Sequence, residues 1–475
     1  MGSTIAIAGA SGFVGRHLCQ RLADDGHRVL ALSRSGKAPV NHPNVEGRPC
    51  DLFSLLDAER AVLGADQAVY LVHSMLPSAR LTQASFEDMD LVLADNFARA
   101  CKRSNVSHAV YLGGIVPQLP DDEALSQHLA SRREVESALS AHGMTVTTLR
   151  AGLVIGPHGS SFRIVTRLVR RLPTMLGPSW TRTPTQPVAL RDVVDIVART
   201  LGENTPAGGA HDIGCPDVVT YTELMQRTAE HMLGRRPVVR PVPILTPRLS
   251  ALWVSLVSST PMALVKPLVQ SLSHPMVAEN LAHQERLGIS ALSVDQAIET
   301  ALGQEKASPL PSTRRRARRS APPSGPPDVR SIQRLPYTGR DAAWVAREYL
   351  RWLPEGFRPF VRVDVDGIRA HFFMRGLKRP LLELELSKER SSPDRTLLYI
   401  TGGSLARVGG RRGRLEFRSL PHAGCVIAAI HDFEPRLPWF VYKWSQAPTH
   451  LWVMWRFRRH LARLGAAGLS STAQT

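Results

Sequence analysis

Three glycines near the amino terminus constrain the fold more than any other feature of this sequence. Gly9, Gly12 and Gly15 follow the apolar run 4–8 (TIAIA) and open the amphipathic segment 13–26 (FVGRHLCQRLADDG). A strand, a glycine turn and a helix in that order bind the phosphates of dinucleotides, because free N–H groups and the helix dipole favour anions there. The residues expected to line this cofactor site are Gly9, Ser11, Gly12, Phe13, Val14 and Gly15.

The rest of the first 150 residues alternates between short β-branched runs and amphipathic segments. The runs are residues 28–32 (RVLAL), 68–72 (AVYLV), 108–112 (HAVYL) and 145–149 (TVTTL). This alternation predicts an α/β fold with a doubly wound, parallel, Rossmann-type sheet. We expect the following helical segments to complete a first domain over residues 1–305, with a small subdomain on the substrate side.

The ends of the predicted strands indicate which dinucleotide binds. The second strand ends with Ser33 and Arg34 and carries no acid. A guanidinium matches the 2′-phosphate of NADP, whereas a carboxylate at this place would bind the 2′-hydroxyl of NAD. NADP(H) is therefore the expected cofactor, ahead of NAD. Further cofactor contacts are expected at the ends of the next three strands, from Asp51, Leu52, Val72, His73 and Gly113.

The last third of the chain differs in composition from the rest. The net charge of +18 lies entirely beyond residue 305. Residues 306–330 are rich in Pro, Ser and Arg and almost lack apolar side chains, so they predict a linker. Residues 331–470 contain alternating apolar runs, a turn at Asp366 and Gly367, and a long final helical segment. We therefore expect a separate α+β domain over residues 331–470.

The basic, tryptophan-rich end of the chain leaves three interpretations open. Residues 331–475 contain 24 Lys and Arg against 12 Asp and Glu, and Trp452 and Trp455 lie among arginines in residues 448–465. This composition fits an apolar ligand enclosed beneath the final helix, or a peripheral contact with a membrane surface. It also fits ordinary core packing beside a solvated basic surface. Nucleic acid is not an expected partner.

Several other features are not expected in this protein. The five cysteines are scattered and form no C-x-x-C pair, which argues against a metal site and against a disulfide framework. The first residues run directly into a strand, and no apolar run reaches membrane-spanning length. We expect a cytoplasmic location, at most peripheral to the inner face of the membrane.

The motifs together resemble a known family. The stretches GASGFVG, YLVHSM, VYLGGI, HLASRREVE and LRAGLVIGP are similar to those of atypical, extended short-chain dehydrogenase/reductases that bind NAD(P)H. That group includes NmrA-like regulators and a Rossmann-type accessory subunit of respiratory complex I. In one branch a START-like helix-grip domain follows the reductase, and DFEPRLPWFVYKW with the final helix resembles that tail. The resemblance implies NAD(P)H binding over residues 1–305.

The predicted active-site helix departs from the wider superfamily. Its usual Tyr-x-x-x-Lys is replaced by His128 and Arg132, and Gly113 and Gly114 stand where a serine is expected. His128 can serve as a proton donor, and Arg132 can bind ribose or phosphate oxygens. Two functions follow. One is an NADP(H)-dependent oxidoreductase for an apolar, lipid- or quinone-like substrate. The other is a non-catalytic NADPH-binding regulator or scaffold.

Overall fold

Every apolar run predicted as a strand in the first 150 residues forms one in the structure, a computed structural model. The structure describes residues 2–73, 81–117, 126–171, 175–202, 208–242, 247–307, 328–407 and 413–472. These residues separate into two compact units. The first contains residues 2–73 and 90–307, and the second contains residues 81–89 and 328–472.

The first unit is built on a seven-stranded parallel sheet. Numbered in chain order, its strands are β1 (Thr4–Ala8), β2 (Arg28–Ser33), β3 (Val45–Pro49), β4 (Gln67–Tyr70), β6 (His108–Gly114), β7 (Thr145–Ala151) and β12 (Gly209–Ile213). They lie in the order β12-β7-β6-β4-β1-β2-β3. All six pairings are parallel. The predicted doubly wound Rossmann-type sheet is therefore confirmed.

Some helices of this unit pack on the sheet, and others lie in the rest of the unit. They are α1 (Phe13–Asp24), α2 (Leu55–Val62), α3 (Phe86–Arg103), α4 (Gln127–Ser140), α5 (Ser160–Arg171), α6 (Leu190–Leu201), α7 (Tyr221–Leu233), α8 (Pro247–Ser258), α9 (Met262–Ser271), α10 (Ala282–Arg286) and α11 (Val294–Ala307). Helices α1 and α6 bury their apolar faces on one side of the sheet, through residues such as Leu18 and Ile196. Helix α4 packs against β6 and β7.

Short strand pairs lie in the remainder of the first unit. β8 (Val154–Ile155) pairs with β11 (Val188–Ala189), β9 (Met175–Pro178) with β14 (Val239–Val242), and β10 (Pro184–Thr185) with β13 (Val219–Thr220). A single 3₁₀ turn, Ser179–Arg182, follows β9. A second apolar core joins α5, α7 and α11 in this region, with Phe162 and Leu224 fully buried.

The second unit is an eight-stranded mixed sheet with helices. Its strands are β5 (Leu81–Gln83), β15 (Val329–Pro336), β16 (Val361–Asp366), β17 (Arg369–Met374), β18 (Leu382–Leu386), β19 (Arg395–Gly402), β20 (Arg414–Leu420) and β21 (Cys425–Phe433). Their order is β16-β17-β18-β19-β20-β21-β15-β5. Every pairing is antiparallel except that of β5 with β15. Its helices are Ala342–Gly356, Trp439–Trp444 and Gln446–Thr472, and a 3₁₀ turn covers Pro421–Ala423.

The core of the second unit lies between one face of this sheet and the helices. Phe417 of β20, Trp352 of the helix Ala342–Gly356, and Phe457 and Leu461 of the C-terminal helix Gln446–Thr472 are buried there together. The α+β architecture and the hairpin turn at Asp366 and Gly367 agree with the sequence, and Gly367 adopts the left-handed φ of 57° that such a turn requires. The narrower assignment to a helix-grip family stays a prediction.

The boundary between the units differs from the expected one in one segment. The sequence assigns residues 81–89 to the first domain, but Leu81–Gln83 pairs with Val329–Ser331, and Asp88 forms an ion pair of 2.7 Å with Arg334. A three-residue strand carries no local signal for a partner so distant in the chain. The predicted linker lies mostly outside the described residues: α11 ends at Ala307, β15 begins at Val329, and 308–327 are not described.

Candidate functional site

The glycine motif forms a turn that only glycine fits. Gly9 has a φ of +86°, and its carbonyl oxygen accepts a hydrogen bond of 2.9 Å from the amide of Gly12. A Cβ atom on Gly15 would collide with that same carbonyl and with Ala10, so α1 packs close to the turn. Gly12 caps α1 without a side-chain hydrogen bond, which leaves the first amides of the helix directed at the turn. The arrangement fits a bound pyrophosphate.

The turn after β2 carries an exposed cation. Arg34 is exposed, and no hydrogen bond or ion pair of its guanidinium occurs within the described part of the chain. Neighbouring hydroxyls order the turn: Ser33 Oγ lies 3.3 Å from Ser35 Oγ, and the Lys37 amide donates to Ser35 Oγ. The Ser33 carbonyl also accepts from the amide of Cys50, which brings the turn beside the end of β3.

Asp51 and Leu52 lie where the sequence places them, directly after β3. The Asp51 carboxylate is half-buried and accepts a hydrogen bond of 3.2 Å from the amide of Phe53. Leu52 is buried, and its carbonyl accepts a hydrogen bond of 2.7 Å from the side-chain amide of Asn96. These contacts fix the backbone of the segment. Their role in holding adenine stays a prediction.

A buried group of polar side chains lies around the first turn of α4. Ser126 caps this helix by accepting from the amide of Leu129, and His128 and Arg132 follow one turn apart. His128 is 8% exposed, and its ring centroid lies 5.1 Å from that of His73, which follows β4. His73 Nδ1 donates a hydrogen bond of 2.7 Å to Asp90 Oδ2 on α3. The structure therefore brings together the predicted residues His73, His128 and Arg132.

Two tyrosines, which were not selected from the sequence, complete this group. Arg132 Nη1 donates a hydrogen bond of 3.5 Å to the hydroxyl of Tyr111 on β6. Residues two apart on a strand share a face, and a Cβ atom on Gly113 would lie 3.0 Å from the Tyr111 ring. Tyr111 therefore occupies space beside the missing serine. The Tyr70 ring lies 5.9 Å from that of Tyr111, and within the described residues its hydroxyl has no hydrogen-bond partner.

Burial and charge decide the protonation state of both histidines. Burial lowers the pKa of His128 to about 2, and the neighbouring Arg132 and His73 act in the same direction. Burial and Arg132 also lower the pKa of His73, although Asp90 acts against them. Both rings are therefore neutral at neutral pH. His128 can donate a hydrogen bond through a ring N–H, but it cannot act there as an imidazolium acid.

Comparison with known proteins identifies the family of the first unit. Residues 5–197 match the model of the NAD dependent epimerase/dehydratase family. The ceramide reductase of Caulobacter vibrioides is 31% identical over 242 residues, which cover 49% of this chain and 71% of that protein. This chain belongs to the NAD dependent epimerase/dehydratase family. The resemblance to extended short-chain dehydrogenase/reductases is thereby confirmed.

Two further proteins are similar to this chain at lower identity. The mitochondrial NADH dehydrogenase [ubiquinone] 1 alpha subcomplex subunit 9 of Arabidopsis thaliana is 25% identical over 244 residues, 47% of this chain and 57% of that protein. The enzyme WbmG of Bordetella bronchiseptica, solved with NAD, superposes with a TM-score of 0.50 at 17% identity. That match covers 65% of this chain and 95% of WbmG, and it shows the fold alone.

Membrane-spanning helices, metal sites and disulfides were not expected from the sequence. Among the described residues, no helix is long and apolar enough to cross a membrane. In the same residues, no group of three or more His, Cys, Asp or Glu is placed to hold a metal ion. All five cysteines are buried as free thiols.

Proposed function

We propose that this chain is an NADP(H)-dependent reductase that converts a ketone on a long-chain, apolar substrate to an alcohol. The observation that carries the proposal is the pairing of His128 and Arg132 on the first turns of α4, beside His73 and Tyr111. This is the position of the active-site helix in the family. A hydrogen-bond donor and a fixed positive charge together suit an oxygen that gains negative charge during reaction.

The choice of NADP(H) rests on the turn after β2. Arg34 is exposed there, and the carboxylate that would recognise the 2′-hydroxyl of NAD is absent from residues 33–38. The glycine turn and the uncapped start of α1 would hold the pyrophosphate. Bound NADPH would supply the hydride.

The chain's own residues would handle the substrate oxygen. We assign to His128 a hydrogen bond from its ring N–H to the carbonyl oxygen. As the hydride adds to the carbonyl carbon, negative charge develops on that oxygen, and the neutral His128 ring stabilises it through its N–H hydrogen bond. A proton from solvent then completes the alcohol. Arg132 lies one turn along the helix and stabilises the negative charge. Asp90 orients His73, whose ring packs beside His128 and limits its movement.

The name of one relative suggests an apolar substrate, and a turnover assay can test this suggestion. The relative with 31% identity is named a ceramide reductase. A reductase for such a lipid needs a carbonyl, so the keto form of a ceramide is the first probe. We expect the purified chain to oxidise NADPH in its presence and to ignore a small water-soluble ketone. Tight NADPH binding with no turnover on any long-chain ketone would instead favour the regulator or scaffold.

Replacing Arg34 with alanine is expected to remove most of the preference for NADPH over NADH. A charge-assisted hydrogen bond contributes about 1.5–3 kcal/mol, so NADPH should bind about 10–100-fold more weakly while NADH affinity changes little. Calorimetric titration of both cofactors measures this. Arg60→Ala, at another exposed arginine of the first unit, is the matched control. Equal affinity of the unsubstituted chain for both cofactors would contradict the assignment.

A further inference from the structure

The C-terminal helix of the second unit buries one set of apolar side chains and leaves two tryptophans exposed. Met454, Phe457 and Leu461 face the core, each at most 2% exposed. Trp452 and Trp455 lie on another face, 50% and 51% exposed. The core is therefore complete without two of the largest apolar side chains on this helix. Exposed apolar side chains of this kind mark a surface that binds a protein, a membrane or a ligand.

The exposed rings are continuous with a second segment of the same unit. The Phe357 ring packs edge-on against Trp452 with 5.1 Å between centroids. The Phe360 amide donates a hydrogen bond of 2.8 Å to the Phe357 carbonyl, so Phe360 follows Phe357 in the same turn, and its side chain is 66% exposed. The Phe360 carbonyl in turn accepts from the amide of Arg375.

Arginines lie directly on these rings. The guanidinium carbon of Arg456 is 4.8 Å from the centroid of Phe357 and 5.4 Å from that of Trp452. That of Arg459 is 5.0 Å from the centroid of Trp455. We call Phe360, Trp452, Trp455, Arg456 and Arg459 the aromatic–arginine patch. The neighbouring helix Trp439–Trp444 repeats the pattern, with Trp444 70% exposed and Lys443 Nζ 5.7 Å from its ring.

The geometry points to an anionic membrane surface as the partner of the aromatic–arginine patch. Tryptophan and phenylalanine rings partition to the boundary between headgroups and acyl chains, where adjacent arginines meet lipid phosphates. The charge of residues 331–475, with twice as many Lys and Arg as Asp and Glu, is complementary to such a surface. The contact is peripheral and is a property of the second unit alone, so it does not depend on the proposed reductase activity.

The test is sedimentation of the full-length chain with vesicles of phosphatidylcholine alone or with one third phosphatidylglycerol, in the absence of NADPH. We expect binding only to the anionic vesicles, weakening when salt rises from about 0.1 M to about 0.5 M. Arg456→Glu with Arg459→Glu should weaken binding at least about 30-fold, since each cation near the surface contributes about fivefold. Trp452→Ser with Trp455→Ser should weaken it at both salt concentrations.

The matched control is Arg60→Glu with Arg235→Glu, which changes the net charge equally at two exposed arginines of the first unit. It should retain binding to anionic vesicles. The unfolding curve and the NADPH affinity of every variant show whether it is folded. Weaker vesicle binding by a folded variant is then due to the changed surface residues. The inference is overturned if the unsubstituted chain ignores anionic vesicles, as a protein-binding patch would. Equal losses in the control and in the patch variants, all of them folded, would overturn it as well.

Discussion

Replacing His128 with alanine is expected to lower the rate of NADPH-dependent ketone reduction by about 10²–10³-fold, the usual contribution of one hydrogen-bond donor to an oxygen that gains negative charge. His128 is the buried donor on the first turn of α4, and Gly113 and Gly114 offer no side chain in its place. Steady-state oxidation of NADPH with a keto-ceramide measures the effect. Ser137→Ala, at an exposed position of the same helix, should leave the rate unchanged.

The pH profile separates a neutral donor from a cationic one. The pKa of His128 is lowered to about 2 by burial and by Arg132, so its protonation does not change near neutral pH. The rate should therefore show no loss that titrates with an ordinary histidine pKa of about 6.5. An imidazolium donor would instead lose activity as pH rises through that value. NADPH affinity should stay close to that of the unsubstituted chain in His128→Ala, and unchanged turnover in this variant would refute the role.

The main sheet could be predicted because its signals are local. The runs 4–8 and 108–112 are short, contain β-branched or aromatic residues, and are each followed by helical periodicity, so they appear as β1 and β6. The glycine motif is equally local, since Gly9 needs a positive φ and Gly15 a close approach within one turn of chain. His128 and Arg132 were found because they share a helix at a known spacing.

The remaining site residues depend on contacts that are distant in sequence. Asp90 holds His73 across 17 positions of the chain, and Tyr111 meets Arg132 across 21. One signal was available: Tyr111 lies two residues before Gly113, so the two share a face of β6. Asp90 offered no comparable signal, because an acid on a helix is usually solvated.

Burial on β20 does not follow the alternation of its sequence. A half-buried strand usually directs its apolar residues towards the core and its charged residues towards water. In the structure Leu415 and Phe417 do enter the core, but Glu416 and Arg418 are only 3% and 1% exposed. The reverse holds for Trp452 and Trp455, which are half exposed. Hydrophobic periodicity identifies the faces of an element, but tertiary contacts decide which faces are covered.

Replacing Glu416 with glutamine is expected to destabilise the second unit by about 3–5 kcal/mol, the cost of breaking a buried ion pair from one side. Glu416 Oε2 accepts a hydrogen bond of 2.8 Å from Arg395 Nη2, and Oε1 accepts one of 2.8 Å from Arg418 Nε. All three side chains are at most 5% exposed. The amide would leave two guanidinium groups buried without their shared carboxylate.

Glu385→Gln is the matched control because it makes the same change in the same sheet. Glu385 pairs with Arg369 at 3.2 Å, but both side chains are at least 36% exposed. An exposed pair of this kind contributes at most about 1 kcal/mol, so the control should unfold almost like the unsubstituted chain. Denaturant unfolding followed by tryptophan fluorescence measures the difference, since six of the eight tryptophans lie beyond residue 330.

The same ion pair should make the stability of the second unit fall at acidic pH. The pKa of Glu416 lies well below its usual value because Arg395 and Arg418 outweigh the effect of burial. A carboxyl with a lowered folded pKa stabilises the protein above its unfolded pKa of about 4.3, and this contribution is lost as pH falls towards the folded value. The unsubstituted unit should therefore lose stability below about pH 4, and Glu416→Gln should lose less over that range. Equal stability of the Glu416→Gln and Glu385→Gln variants at neutral pH would show that the buried carboxylate is not needed.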